Sequence, residues 1–356
     1  MSDSLVIQSH AGPYAVHFDN TILENPGQLL EQKAHVIIDA TVARLYAAPL
    51  RQLIEHPLTI VVEATEANKS LERAVPIFER LIQDNIRRDH TLVAIGGGIV
   101  QDLTCFVAGT LLRGVNWRFV PTTLLAQADS CIGSKSSINL GATKNIIGTF
   151  NPPTDVLLNT RFLDSLDAKD ICSGVGEILK LHLINSVTAL DRLAADYDRM
   201  IADPAVRSEY IRSALRIKQR FIEADEFDRG VRNLLNFGHT FGHAIESATR
   251  FAVPHGIAIS MGMDVANHVA TARGLLPAAH HERMHQLLRR NYEEFAKIEI
   301  PLDDLFSAIL RDKKNTGDQL NLILAVGEDA AVQRVPVPPD DAFRTQIRHA
   351  VHALSE

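Results

Sequence analysis

Cysteine is scarce in this chain of 356 residues: Cys105, Cys131 and Cys172 lie far apart and form no CxxC pair. That argues against a disulfide framework or a thiolate zinc knot and points to a reducing cytosol. A basic surplus is missing too, since 36 Lys and Arg stand against 43 Asp and Glu for a formal charge of −7. With no overall positive field to draw in nucleic acid or an anionic membrane, any anion has to meet local lysines and arginines, which suits a small ligand better than a polymer. Apolar runs of membrane-spanning length are absent, and the opening "MSDSLVIQSHAG" has neither a basic segment nor an apolar h-region. A cytoplasmic protein, neither secreted nor membrane-inserted, is expected. Internal repeats and low-complexity segments are also missing.

Apolar residues, by contrast, make up 46% of the chain, enough for two packed domains with a core each. In the first half, short β-branched runs at 35–40, 58–64, 91–97, 117–123 and 155–159 alternate with helical patterns at 67–86 and 99–113. This is the pattern of parallel strands joined by helices, a nucleotide-binding α/β layer. Beyond about residue 160 long helical patterns dominate, at 169–185, 205–224, 235–250, 256–274 and 279–296, with "LNLILAV" (320–326) as a late hairpin or edge strand. The two prolines of "FNPPTDV" (150–156) sit just before the change. The expected architecture is an α/β N-terminal domain over 1–163 followed by an all-α C-terminal domain over 164–356.

Several stretches could carry chemistry. "AIGGGIVQD" ends a strand and opens a helix, where backbone N–H groups and the helix dipole favour a pyrophosphate; a tight connection explains the glycines equally well. Asp102 in that stretch reads as a first-turn charge complementing the dipole. "DSCIGSKSSINLGATKN" (129–145) places Lys135, Lys144, Asn139 and Asn145 in a Gly- and Ser-rich loop that no helix or strand pattern would use. Such a loop can fold cationic and amide donors around a phosphate, and it follows a strand end, where ligands of open α/β sheets gather.

In "NFGHTFGHAIE" (236–246), His239 and His243 are four apart, so both imidazoles leave one helical face. HxxxH is common by chance, and paired histidines on a half-buried helix are more often structural. His255 after Pro254, and Glu177 in "GVGEILK", add to the case for a catalytic zinc-type site with three N/O ligands. Spacing does not choose which three of the four bind. Upstream, "RIKQRFIEADEFDRGVRNLLN" carries Lys218, Arg232 and Asn236 on what is ordinarily a charged helix face, and "RDKKNTGD" (311–318) reads as a solvated turn.

Taken together, "EANKSLE", "GGGIVQD", "RGVNWRFVPTTLLAQADS", "KNIIGTF", "GVGEILK", "NFGHTFGHAIE", "HGIAISMGM" and "RDKKNTGD" resemble, in order and over most of the chain, the 3-dehydroquinate synthase family of sugar phosphate cyclases. The resemblance implies a Rossmann-like α/β domain and a helical domain with the active site in the cleft between them, bound NAD, and one divalent metal, zinc or cobalt. By position, Glu177, His239 and His255 match the family's metal ligands, and His243 becomes a polar residue near the substrate phosphate. Asp129, Lys135, Lys144, Asn145, Lys180, Lys218, Arg232, Asn236 and Lys314 align with substrate-contacting positions. Arg113 matches an arginine that reaches a neighbouring subunit's phosphate site, which implies a homodimer. Gly97, Gly98, Asp102, Thr122 and Thr123 fall in the dinucleotide segment, with Asp39, Glu66 and Lys69 as ribose or adenine contacts.

The implied reaction oxidises the C5 hydroxyl of a seven-carbon keto-acid sugar phosphate with NAD⁺, eliminates phosphate after loss of the acidified C6 proton, reduces C5 again, and closes the carbocycle by an intramolecular aldol step. The substrate's own phosphate can take the C6 proton, so no separate strong base is required. One departure from the family pattern is "GSKSS" at 133–137 in place of the common "GGKTG", where Ser134 and Ser137 replace glycines that permit positive φ or close approach. Relatives that act on sedoheptulose 7-phosphate commonly lose the second histidine of HxxxH and alter the preceding asparagine. His243 and Asn236 are both retained here, which favours the keto-acid substrate. A metal-dependent polyol dehydrogenase is a rival of another reaction class, but it needs no phosphate clamp such as Lys135, Lys144, Lys180 and Lys218 provide. A non-catalytic paralogue is disfavoured by the intact candidate ligands.

Overall fold

A computed structural model describes residues 4–31, 33–141, 143–311 and 319–356. The chain packs into two compact units: Met1–Leu166 with Lys218–Phe227, and Asp167–Ile217 with Asp228–Glu356.

The first unit is built on a seven-stranded sheet. Its strands are β1 (Ser4–Ile7), β2 (Tyr14–Phe18), β3 (Ala34–Asp39), β4 (Thr59–Val62), β5 (Thr91–Gly96), β6 (Asn116–Pro121) and, after a separate hairpin of β7 (Ile138–Leu140) and β8 (Thr143–Ile147), β9 (Asp155–Leu158). The order is β1-β2-β9-β6-β5-β3-β4, parallel throughout except for the edge pair β1–β2. β3 and β5 are almost entirely buried, which is why they read as unbroken apolar runs rather than alternating ones. Helices α1 (Ala40–Leu45), α2 (Arg51–Ile54), α3 (Leu71–Gln83) and α4 (Gly98–Thr110) connect the strands. α3 buries Ala74, Ile77 and Leu81, spaced three and four apart as a one-sided helix requires. α4 buries Val100, Leu103, Phe106 and Val107, among others. The chain's single tryptophan, Trp117 on β6, is 2% exposed and donates its indole N–H to the Asn151 carbonyl at 3.2 Å.

The second unit is mainly helical: α5 (Ala168–Asn185), α6 (Leu190–Ala202), most of α7 (Pro204–Ala224), α8 (His239–Ala248), α9 (His255–Ala272), α10 (Ala278–Tyr292), α11 (Leu302–Leu310) and α12 (Asp341–Ala353). The late apolar run is one arm of an antiparallel hairpin, β10 (Leu320–Val326) with β11 (Ala331–Val337). α9 is buried along most of its length and is approached by neighbours at backbone distance. A Cβ on Gly256 would lie 1.8 Å from the Ser173 carbonyl oxygen, one on Gly176 2.0 Å from the Gly256 oxygen, and one on Gly262 2.2 Å from the Gly238 oxygen. Only glycine allows α5, α8 and α9 to touch in this way.

Candidate active site

In the first unit, the carboxyl ends of adjacent parallel strands gather the expected nucleotide residues. Asp39 ends β3, Glu66 follows β4, Gly97 and Gly98 follow β5, and Thr122 and Thr123 follow β6. This is where doubly wound sheets bind ligands. A Cβ on Gly97 would meet Thr123 Cγ2 at 2.9 Å, so that glycine is a packing requirement. Gly98 differs: the nearest atom to an added Cβ is Ser130 Oγ at 3.9 Å, leaving the α4 N-terminus open to an incoming group. No acidic residue occupies the first turn of α4, so the positive end of its dipole is not offset by its own sequence. These features fit a dinucleotide pyrophosphate.

Asp102 is therefore not a first-turn charge. It is the fifth residue of α4, and its carboxylate pairs with Lys69 Nζ at 2.5 Å and accepts the Ser137 N–H at 3.2 Å. Asp39 caps α1 by accepting the Thr41 N–H at 2.7 Å.

The stretch expected to be an irregular loop instead contains the β7–β8 hairpin, whose strands, Ile-Asn-Leu and Thr-Lys-Asn-Ile-Ile, are too short for a periodic pattern to mark them in the sequence. Asn139 Nδ2 donates to Glu66 Oε1 at 3.0 Å, Lys144 Nζ stands 3.1 Å from the same oxygen, and the Asn145 N–H donates to Asn139 Oδ1 at 2.9 Å. Asn145 is left-handed at φ 50°, a conformation asparagine tolerates. Neither Ser134 nor Ser137 is among the positive-φ residues, whereas Gly133 is, at φ 106°. The two serines thus bring no backbone strain, and Ser137 Oγ donates to Asn145 Oδ1 at 3.1 Å. Lys135 is exposed. Asp129 and the buried Lys218 pair at 2.8 Å, with Lys218 Nζ also donating to the Asp129 carbonyl at 2.7 Å, because Lys218–Phe227 packs with this unit.

The second unit brings four of the expected residues to one point. Ligand nitrogens of His239, His243 and His255 lie within 4.8 Å of one another. Glu177 Oε1 is 3.3 Å from His255 Nε2 and 3.9 Å from His239 Nε2. Glu177 is 1% exposed, Lys180 stands against its other oxygen, and neither oxygen has a hydrogen bond of normal geometry. An anionic oxygen pair buried this way, facing imidazoles, is a donor set that a divalent ion completes.

Burial opposes charge on Glu177, but Lys180 and His255 more than offset it and hold the carboxyl well below its ordinary range. Burial would likewise lower His255; the Glu177 and Glu246 carboxylates reverse this and raise it to about 10, so an ion arriving there displaces a proton. Glu246, to which sequence reasoning gave no role, accepts from His255 Nδ1 at 3.2 Å. Its signal was its place seven residues beyond His239 and three beyond His243, on the same helical face.

The buried Arg232 and the half-buried Asn236 lie on the short helical turn preceding α8. Arg113 is exposed and left-handed at φ 66°, beyond the C-terminus of α4. It stands a helix length, on the order of 20 Å, from the glycine cradle and takes no part in it. Lys314 lies outside the described residues. No helix among the described residues is long and apolar enough to cross a membrane.

Family models described as 3-dehydroquinate synthase N-terminal and C-terminal match residues 59–173 and 174–315. Similar curated proteins include a 3-dehydroquinate synthase of Dichelobacter nodosus, 36% identical over 297 residues, 82% of this chain and 80% of that one. Another is that of Streptococcus thermophilus, 33% identical over 353 residues, 94% and 97% of the two chains. Among solved structures, a 2-deoxy-scyllo-inosose synthase complexed with carbaglucose-6-phosphate, NAD⁺ and Co²⁺ superposes with a TM-score of 0.83 at 24% identity, covering 98% of this chain and 100% of that one. The 2-epi-5-epi-valiolone synthase ValA of Streptomyces hygroscopicus, with NAD⁺ and Zn²⁺ bound, gives 0.81 at 24% identity over 96% of each. At those identities the superpositions speak for the fold.

Proposed function

This chain belongs to the 3-dehydroquinate synthase family and is a phosphorus–oxygen lyase, and from that premise we propose that it converts 3-deoxy-D-arabino-heptulosonate 7-phosphate to 3-dehydroquinate with release of phosphate, as a cytoplasmic homodimer on the shikimate route. The observation that carries this reading is the buried, under-bonded Glu177 carboxylate facing His239 and His255, with His243 beside them. Glu177, His239 and His255 would hold the divalent ion, while Gly97, Gly98 and the α4 N-terminus would take the pyrophosphate of NAD, with Asp39, Glu66, Lys69, Asp102, Thr122 and Thr123 around it. When bound, the nicotinamide supplies a hydride acceptor and then donor for C5, and the ion supplies a Lewis acid for the substrate hydroxyls.

The chain's own residues orient the substrate and balance its charge. Lys135, Lys144, Asn145, Lys180, Lys218, Arg232, Asn236 and Lys314 are the donors for its carboxylate, phosphate and hydroxyls, with Asp129 holding Lys218 in place. His243 offers a polar group to the phosphate, and Arg113 would complete the phosphate site of a partner subunit. Fixing a flexible sugar so that its phosphate lies beside C6 is worth more here than a strong protein base.

A second reading, a sister cyclase acting on a sugar phosphate without the carboxylate, is favoured by one feature, the Ser137–Asn145 bond inside the altered "GSKSS" loop. Phosphate release and product analysis with metal-loaded enzyme on the keto-acid sugar phosphate and on sedoheptulose 7-phosphate decide between them. Turnover confined to the first, with no net NADH, is expected; turnover confined to sedoheptulose 7-phosphate would overturn the substrate assignment.

A further inference from the structure

A second histidine cluster is formed by α9 and α10, beginning nine residues along α9 from His255. Asp264 and His268 are one turn apart on α9, and His281 and His285 are one turn apart on α10, so two i,i+4 pairs present their side chains to a common space. That space is a cavity of about 210 Å³ lined by these four residues with Glu282 and Glu356. The His268 and His281 rings lie 5.6 Å apart edge to face, and those of His281 and His285 6.2 Å apart. Asp264 is 3% exposed, which is unusual for a carboxylate, and the other buried residues of α9 are all uncharged.

Its two oxygens are treated differently. Oδ2 accepts from His285 Nδ1 at 2.7 Å and from the Tyr292 hydroxyl at 2.5 Å. Oδ1 is buried with no hydrogen-bond partner, and His281 Nε2 stands 3.6 Å from it. A buried carboxylate left half-satisfied beside three imidazoles is costly unless something else completes it. In the neutral His285 ring this contact places the N–H on Nδ1 and leaves the lone pair on Nε2. The Glu246–His255 pair in the first centre follows the same arrangement, the one that metal-bound histidines generally use.

We propose that His268, His281 and His285, with Asp264 as carboxylate partner, form a second metal centre that takes a borderline divalent ion of the Zn²⁺, Co²⁺ or Ni²⁺ class. Nitrogen-rich donors with one carboxylate select such ions over Mg²⁺ or Ca²⁺. Two imidazoles on one tetrahedral ion put their ring centroids about 5.3 Å apart, given metal–nitrogen distances of about 2.1 Å. The 5.6 Å pair already meets this; the ligand atoms of the three histidines do not yet lie within 4.8 Å of one another, so the His281 and His285 side chains, 21% and 28% exposed, have to rotate to enclose an ion. The centre is independent of the one at Glu177 and would brace α9 against α10 rather than meet substrate.

The test counts ions on the full chain. Chelator-stripped protein is titrated with Zn²⁺ by calorimetry and checked by metal analysis after gel filtration, for the parent, for Glu177→Gln, and for the double variant His281→Ala with His285→Ala. Two equivalents are expected for the parent and one for each variant, with the histidine variant keeping its turnover and its far-ultraviolet circular dichroism. His268→Ala, on the other helix, should weaken the same equivalent at least tenfold. If the histidine variants bind as many ions as the parent with affinities within threefold, the proposal fails, whatever Glu177→Gln does. If only Glu177→Gln keeps its full count, the first centre is the one in doubt.

Discussion

Glu246 touches no substrate in the reading above, yet it decides which nitrogen of His255 faces the ion. A carboxylate on Nδ1 directs Nε2 toward Glu177 Oε1, 3.3 Å away. Glu246→Gln should weaken metal affinity about 10- to 100-fold while leaving thermal stability nearly unchanged, a split that competition with a chromophoric chelator and a melting curve together would reveal. The HxxxH spacing made His239 and His243 legible as neighbours, and they are, with ring centroids 5.1 Å apart. Spacing could not assign Glu246, because its role arises only when α8 meets the start of α9. Asp102 shows the reverse: its sequence position suggested a dipole partner, and a tertiary lysine, Lys69, took it instead.

Helix contacts set the geometry of the ion centre as much as the ligands do. Glu177 lies on α5 and His255 opens α9, and the two backbones are held together where Gly176 and Gly256 meet. Gly256→Ala would drive a methyl into the Ser173 carbonyl, and backbone cannot swing aside as a side chain can. A destabilisation of about 3 kcal/mol or more is expected in denaturant titration, with metal affinity falling alongside it. The segment carrying Lys218 is held in the first unit by Glu226, which accepts from Ser9 Oγ at 2.6 Å and from the His10 N–H at 2.7 Å. Burial raises the Glu226 carboxyl, but these donors outweigh it and leave it below its ordinary value. A lowered folded value means the stabilisation is complete above the unfolded value near 4.5 and fades as pH falls through the folded one. Glu226→Gln should therefore cost about 1 to 2 kcal/mol at pH 7, and the gap between variant and parent should shrink below pH 4.5 in parallel denaturant titrations. The long helices were readable because a 3.6-residue period repeats over many turns. β1, β2 and β7–β8 were not, being three to five residues long and lacking sustained β-branched alternation.

The change of composition near the prolines places the expected break at 163/164, whereas the compact units change at Leu166 and again at Lys218 and Phe227. The return of Lys218–Phe227 to the first unit was not legible, because α7 runs from Pro204 to Ala224 with an unbroken helical pattern that gives no sign of passing from one unit to the other. Arg113 poses a similar question for the assembly. It is exposed and removed from its own chain's cradle, so a role in the proposed homodimer would have to be played in a partner. Arg113→Ala and Glu177→Ala, each inactive alone, should recover roughly a quarter of parental activity when mixed and allowed to exchange subunits, because half the dimers then carry one complete site. No recovery after verified exchange would mean that Arg113 does not serve a partner's site. The lone indole of Trp117 makes the molecule's interior observable by light. Its emission reports the first unit only, whereas far-ultraviolet ellipticity is dominated by the helices of the second, so the two signals give one curve on heating if the units melt together and two if they part.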